Sequence, residues 1–262
     1  PVARFLLMRA GSGLIALIAV SLIVFLGTEL LPGDAATAIL GQAATPQAVA
    51  ELRLQLGLDQ PVWTRYLTWV AGAVQGDFGT SFSSGRPVAD LLFPRLGRSL
   101  LLAGVAAAVV TPLAIGLGIV AALHREKLAD RAILGASMLL LSIPSFLMGY
   151  LLIKLFAVEL GWFPALSVIR SSTDIWGWMR ALALPVLTLT FVASAHTMRL
   201  TRTAVVAVLA SDYIMMAEIK GLEPRSVILR HALPNALSPV LSIAILTFAY
   251  MIVGVVVVEV VF

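Results

Sequence analysis

Five long stretches of the chain are apolar and contain no Asp, Glu, Lys or Arg. A helix that crosses the hydrocarbon core of a bilayer needs about 20 such residues. The pattern therefore predicts five membrane-spanning helices, at residues 10–28, 99–123, 132–153, 181–198 and 232–258. Four of these spans contain a proline or end near one, which favours a bundle whose neighbouring helices satisfy the freed backbone groups. The prolines are Pro112, Pro144, Pro185 and Pro239.

Composition supports a polytopic all-α membrane protein. The 262 residues are 60% hydrophobic and only 12% charged, whereas a soluble domain has roughly 25% charged residues. Too little polar surface remains for a soluble enzyme, a nucleic-acid-binding domain or a disordered chain. The chain has no cysteine, which excludes a disulfide framework, thiol catalysis and cysteine-ligated metal.

The positive charges predict how the helices are oriented. Ten of the 18 basic residues lie in short segments that the five spans place on one side. Short loops rich in Lys and Arg stay in the cytoplasm, so that side and the N-terminus are predicted to be cytoplasmic. Arg95 and Arg98 lie on the other side, in a loop long enough for the rule to be weak. Five spans, and a chain that starts at Pro1, lead us to expect a sixth helix beyond Phe262.

The outer segment, residues 32–97, is the only sizeable polar region. It predicts one helix from Thr45 and Pro46 to a stop at Gly57, and another from about residue 61 to 74. A turn follows at residues 76–79. The second helix carries three aromatic residues at spacings of three, which we expect on one face: Trp63, Tyr66 and Trp69. A small cap at the membrane interface is favoured over contact with a substrate.

The cytoplasmic segment 211–239 contains a short helix with too many apolar residues for one buried stripe. Ser211 or Asp212 is expected to cap its start, and Gly221 to end it in the left-handed conformation. The apolar residues are Tyr213, Ile214, Met215, Met216, Ala217 and Ile219. A contact with a partner protein and packing under the chain's own bundle are equally open. A second helix is predicted to start at Pro224 and to stop before Pro234.

Few ionisable residues fall at membrane depth. Glu29 and Lys154 are expected to extend towards the outer surface, and Glu259 is expected to be functional or paired. His196, Arg199 and Arg202 are expected to mark the cytoplasmic end of the fourth span. The sequence has no phosphate-binding loop, no metal-ligand spacing and no nucleophile elbow. If the protein transports a solute against its concentration gradient, the energy must then come from an ion gradient or from another subunit.

Residues 212–222 resemble the cytoplasmic signature of ABC-importer permease subunits, in which Leu-Pro follows a glycine by twelve residues. Here Leu233 and Pro234 follow Gly221 at that spacing, while Met215 and Met216 replace the usual Glu and Ala. Residues 230–240 resemble the dipeptide, oligopeptide and nickel branch. Further resemblances occur in order along the chain: Leu31-Pro32-Gly33-Asp34, residues 56–61, 76–82, 142–146, 160–164 and 199–202, and residues 258–262.

The resemblance implies a type I ABC-importer transmembrane fold, divided into residues 1–31, 32–97 and 98–262. It implies a second homologous permease, two cytoplasmic ATPases that bind ATP and Mg, and an extracytoplasmic binding protein, in a bacterial or archaeal plasma membrane. By this resemblance, the residues expected to couple the chain to an ATPase are Asp212, Tyr213, Met215, Met216, Ala217, Glu218, Lys220, Gly221 and Leu222. The residues expected to support that contact are Arg199, Arg202, Arg230, His231, Leu233, Pro234 and Asn235. Pathway or gating candidates are Pro144 and Glu259.

Peptides are the expected substrate, with nickel chelates or oligosaccharides as the alternative within the same architecture. A stand-alone secondary transporter is the alternative of another class, and it would need inverted repeats and charges at the bilayer midplane. The sequence contains no group of catalytic residues that would support an intramembrane enzyme. No catalytic residue, metal site or cofactor of its own is expected for this chain.

Overall fold

The computed structural model describes residues 2–30, 35–82, 84–167 and 174–262. Four of the described helices are long and apolar enough to cross a membrane, and a bent helix pair makes a fifth if its two halves form one span. The Leu31–Asp34 motif named above lies outside the described residues. The chain divides into two compact units, residues 1–95 and 96–262.

The first unit contains one apolar helix followed by short helices. Its elements are α1 (Val2–Leu30), α2 (Ala35–Leu40), a 3₁₀ turn (Gly41–Ala43), α3 (Pro46–Gln55) and α4 (Val62–Val74). The predicted start of α3 is confirmed, because the Thr45 hydroxyl accepts a hydrogen bond from the Ala48 backbone N–H at 3.3 Å. Gly57 ends that helix with φ +66°, and the predicted turn contains Asp77, whose carboxylate accepts from the Gly79 N–H.

Helix α4 packs on α1 through polar and aromatic side chains. The Tyr66 hydroxyl lies 2.8 Å from that of Ser21, and Arg65 forms an ion pair with Glu29. Glu29 therefore has a partner in the protein, in addition to its expected place near the outer end of α1. The three aromatics of α4 do not share one environment, because Tyr66 is buried whereas Trp63 is largely exposed.

The second unit is a bundle of apolar helices. Its α-helices are α5 (Val88–Leu123, which begins in the first unit), α6 (Leu128–Ser142), α7 (Ser145–Leu152), α8 (Ile175–Leu209), α9 (Asp212–Ile219), α10 (Pro224–Ser226) and α11 (Leu233–Val261). Two π-helical turns follow α7 and α10, at Ile153–Glu159 and Val227–Ala232. Helix α8 is the most buried of the long spans. The main core is formed by α5, α8 and α11.

The third span is broken at Pro144. Helix α6 and the segment Ser145–Glu159 meet at an angle of 99°, whereas the apolar pattern predicted one continuous helix over residues 132–153. Ile143 is extended, as expected before a proline. At 15 residues, α6 is only about 22 Å long and too short to cross a bilayer by itself.

The two halves nevertheless cross the membrane once. Asp130, at the start of α6, contacts Arg202 in the C-terminal part of α8. Ser167, beyond α7, donates from its hydroxyl to the Ala181 carbonyl near the start of α8, and from its backbone N–H to the Phe262 carbonyl. The segment from Asp130 to Ser167 therefore starts beside one end of α8 and finishes beside the other. The predicted five spans are present, with the third one broken.

Helices α5 and α8 approach closely because α5 carries a stripe of small residues. A methyl group built on Gly118 would lie 2.7 Å from Cβ of Thr201 and 2.8 Å from the Met198 carbonyl oxygen. Small residues allow helix backbones to pack closely in membranes, where van der Waals contact replaces the hydrophobic effect as the main attraction between helices. Thr197 and Thr247 add a hydroxyl contact of 2.8 Å between α8 and α11.

The predicted helix stop before Pro234 is wrong. The helical segment continues from Pro224 to Val261, with the π-helical turn directly before Leu233. A π-turn pairs each carbonyl with the N–H five residues later, so the Arg230 carbonyl does not need the N–H that Pro234 lacks. The wider turn also makes room for the proline ring.

Candidate functional site

The predicted short helix is present as α9, and its start differs from the prediction. Ser211 precedes it in an extended conformation, but its side chain makes no cap. The Ser211 hydroxyl instead donates to the Val208 carbonyl at the end of α8. Its backbone carbonyl accepts from the N–H groups of Ile214 and Met215. The expected side-chain cap is therefore wrong, because the hydroxyl is used to close the preceding helix.

The predicted end of α9 at Gly221 is confirmed. Gly221 has φ +73°. Its N–H donates to the Glu218 carbonyl at 2.9 Å, and the Leu222 N–H donates to the Ala217 carbonyl at 3.3 Å. These two bonds form a Schellman motif, which satisfies carbonyls that the helix end leaves free. Glycine suits this position because an L side chain disfavours positive φ.

One face of α9 packs on its own chain. Ile214 and Ala217 are buried against Val227 and Ala232 of the π-helical turn. The opposite face is exposed, although it is rich in apolar side chains. We call this exposed set the α9 surface: Tyr213, Met215, Met216, Ile219 and Leu222. Helix α9 thus packs on the bundle through Ile214 and Ala217 and exposes its other apolar side chains. Packing under the chain's own bundle, one of the two alternatives, therefore describes only part of the helix.

Most polar residues predicted to couple or to support coupling lie around α9 or on the following turn. Asp212, Glu218 and Lys220 are exposed on α9 and its end. Arg230 is exposed, His231 is half-buried, and Asn235 donates from Nδ2 to the His231 carbonyl at 2.7 Å. Of the remaining support candidates, Leu233 is half-buried and Pro234 is exposed at the start of α11.

Arg199 and Arg202, predicted with that group, lie on α8 and point in different directions. Arg199 is exposed. Arg202 donates to both carboxylate oxygens of Asp130, at 2.6 and 2.7 Å. Helix α8 continues to Leu209, so these residues precede the end of the helix by two turns or more. Arg202 therefore links α8 to the start of α6.

Asp130 is a residue that sequence reasoning missed. Its side chain is 3% exposed, and Oδ2 also accepts the backbone N–H of Glu126 at 2.8 Å. Glu126 has φ 65°, a rare conformation for a residue with a side chain. An acidic residue among the basic residues of a short loop between two apolar spans was the available signal. Nothing in the sequence indicated a partner 72 positions away.

The two gating candidates lie on other elements than α9. Pro144 precedes α7 at the 99° break of the third span. Glu259, near the end of α11, accepts from the Ser99 hydroxyl of α5, with oxygen–oxygen distances of 2.8 and 2.9 Å. Glu259 is thus paired with Ser99. Pairing was one of the two outcomes expected for this residue, the other being a functional role. In the part of the chain that the structure describes, no three His, Asp or Glu side chains converge as metal ligands would.

Two sequence profiles cover nearly the whole chain. Residues 114–262 match the family described as "Binding-protein-dependent transport system inner membrane component". Residues 2–103 match the corresponding N-terminal family, described as "Binding-prot-dependent transport system membrane comp, N-term". The matches include both the spans of the second unit and the short helices of the first.

Named relatives agree with these matches. A putative peptide transport system permease protein of Brucella abortus is 35% identical over 257 residues, which cover 98% of this chain and 82% of the relative. A probable peptide ABC transporter permease protein of Sinorhizobium fredii is 35% identical over 258 residues, with the same coverage. The glutathione transport system permease protein GsiC of Escherichia coli K12 is 39% identical over 243 residues, which cover 93% of this chain and 77% of GsiC. The chain therefore belongs to the family of inner-membrane permease components of binding-protein-dependent ABC transport systems.

Proposed function

We propose that this chain forms half of the translocation pathway of an ATP-driven importer for dipeptides or oligopeptides. Relatives named as peptide and glutathione permeases support the peptide substrate. The partners are a second homologous permease, two cytoplasmic ABC ATPases and an extracytoplasmic binding protein. We further propose that the N-terminus is cytoplasmic, because the short basic segments share that side.

The α9 surface is the observation that carries this proposal. A short helix that exposes Met215 and Met216 on its outer face leaves apolar area in water. Contiguous apolar patches of this kind mark contacts with other proteins, and methionine adapts well to such contacts. We propose that the α9 surface docks in a groove of an ATPase. The buried pair Ile214 and Ala217 then transmits movement of the ATPase to the bundle.

Energy for transport comes from the partners in this proposal. The ATPases bind ATP and Mg, and their closure moves the permeases from inward-open to outward-open by a population shift between two states. In this proposal the chain itself binds no nucleotide and contributes no catalytic residue. Its contribution is mechanical, because α9 is attached to α8 through Ser211 and to α11 through the π-helical turn.

Two other groups of residues are proposed to act in the same cycle. Arg230, His231 and Asn235 support the docked α9 from the turn that follows it. Pro144 and Glu259 act in gating, since Pro144 lies at the break of the third span and Glu259 joins α11 to α5. The first unit is proposed to contact the binding protein.

The decisive experiment changes Met216 in the complete transporter, reconstituted in liposomes with its partner permease, ATPases and binding protein. Met216→Asp places a charge in the apolar contact, so peptide uptake should fall to background while the complex still assembles. Met216→Leu keeps an apolar side chain of similar size and should retain uptake. Normal uptake coupled to ATP hydrolysis in Met216→Asp would contradict docking through the α9 surface.

A further inference from the structure

Helix α8 exposes a polar side chain at membrane depth. Between Ala181 and Met198, a stretch that the structure describes throughout, His196 alone is exposed. Every other residue there is buried or half-buried. One turn towards the cytoplasm, Arg199 is exposed on the same side, and Thr203 follows one turn later. The outward side of the most buried span is therefore polar.

The position of His196 is well inside the bilayer. It lies six residues before Arg202, about 9 Å along the helix axis. The adjacent Thr197 contacts Thr247 in the middle of α11. His196 therefore lies in the cytoplasmic half of the hydrocarbon core, where a lipid-facing imidazole would lack hydrogen-bond partners.

Tyr250 of α11 lies beside His196. The two rings meet edge to face, with centroids 6.0 Å apart and an angle of 79° between their planes. The Tyr250 side chain is 58% exposed. Neither polar tip has a hydrogen-bond partner among the described residues. We call these two residues the His196–Tyr250 patch.

The exposed positions of α5 at this depth are aliphatic. Helix α5 exposes Val109, Leu113 and Val120, and α11 exposes Leu241 and Ile245 away from Tyr250. Aliphatic faces suit lipid or an apolar partner helix, whereas polar groups in a membrane face a water-filled cavity. The contrast separates the patch from these aliphatic positions of α5 and α11.

We propose that the His196–Tyr250 patch lines the cytoplasmic half of the translocation pathway and binds the peptide main chain as it passes. This inference rests on the proposed function, and it names a binding site for that substrate. Imidazole and phenol groups offer hydrogen bonds to peptide carbonyl and amide groups, which are common to all peptide sequences. Arg199, one turn closer to the cytoplasm, would attract the terminal carboxylate of the peptide.

Cysteine accessibility tests whether the patch faces water. The chain has no cysteine, so His196→Cys, Tyr250→Cys and the control Ile245→Cys each introduce a single thiol. The variants are treated, in the complete transporter in inside-out vesicles, with a charged, membrane-impermeant methanethiosulfonate reagent. Modification at 196 and 250 should be at least about tenfold faster than at 245, because a thiol in hydrocarbon stays protonated and unreactive. Equal, slow modification at all three positions would overturn the proposal.

Photo-crosslinking identifies what contacts the patch. A p-benzoylphenylalanine residue replaces Tyr250 or, as the control, Ile245, and the transporter is illuminated during uptake of a radiolabelled tripeptide. Position 250 should crosslink to the tripeptide and position 245 should not. Crosslinks from position 250 only to lipid or only to the second permease would overturn the proposal. ATP-driven tripeptide uptake by the unmodified transporter tests the proposed function separately, so the two failures are distinguishable.

Discussion

Arg202 and Asp130 form a two-pronged ion pair between α8 and α6, with both nitrogen–oxygen distances under 2.8 Å. The Asp130 side chain is 3% exposed and that of Arg202 is 21% exposed, so water screens the pair poorly. Oδ2 of Asp130 also accepts the Glu126 N–H, which holds the turn between α5 and α6. One carboxylate thereby connects α8, the start of α6 and the turn that follows α5.

Asp130→Ala should destabilise the protein strongly. The substitution leaves the Arg202 guanidinium without its partner in a largely buried site, and breaking a buried pair in this way costs about 3–5 kcal/mol. We expect a large fall in the thermal midpoint of the detergent-purified complex, and less complex in the membrane. Arg131→Ala, which removes the charge of a neighbouring exposed residue, is the control.

A double-mutant cycle separates the pair from its surroundings. Asp130→Asn combined with Arg202→Met should be less damaging than the sum of the two single changes, because neither charge is then left alone. Strict additivity of the two losses would contradict a direct energetic coupling between α6 and α8.

Gly118→Ala should weaken the contact between α5 and α8. The new methyl group would lie 2.8 Å from the Met198 carbonyl oxygen, which is backbone and cannot rotate away. Overpacking of this kind costs about 1–3 kcal/mol. Gly116→Ala is a matched control on the same helix, because a methyl group there meets nothing within 4 Å. Thermal midpoints that fall equally for the two variants would argue against the close approach at Gly118.

Gly221→Ala should act through the backbone alone. Nothing lies within 4 Å of the added carbon, but φ is +73°. The left-handed conformation costs an L residue about 1–2 kcal/mol. We expect α9 to fray and peptide uptake to fall, with a larger loss in Gly221→Val. Gly221→Asn should retain more uptake, because asparagine tolerates this conformation. Equal uptake by the alanine, valine and asparagine variants would show that the helix end does not matter for coupling.

Thr247→Val should have only a small effect, despite removing a buried contact with Thr197. Each hydroxyl also has an acceptor carbonyl on its own helix, to which it can donate its single proton when the other threonine is lost. Hydrogen bonds between membrane helices average about 0.6 kcal/mol. We therefore expect a thermal midpoint close to that of the parent, well above that of Gly118→Ala. A loss as large as that of Gly118→Ala would mean that the hydroxyl pair, and not close packing, holds α8.

Much of the site could be predicted from local sequence because its signals are local. Gly221 ends α9 as predicted, since a glycine after an apolar helical run permits the left-handed turn. The excess of apolar residues on this short helix left partner contact and packing under the bundle equally open, and the structure shows both a buried pair and an exposed apolar set. The side-chain cap was mispredicted at Ser211, because the hydroxyl had an equally good acceptor at Val208 of the preceding helix.

The sequence by itself determined that this is a helical membrane protein with five apolar spans, because hydrophobic length and loop charge act residue by residue. The tertiary structure decided which polar groups meet. It brought Asp130 to Arg202, turned His196 outward beside Tyr250, and bent the third span by 99° at Pro144. These outcomes depend on the rotation of each helix about its axis and on which helices are neighbours. Packing between distant segments sets both quantities, and no local pattern encodes either one.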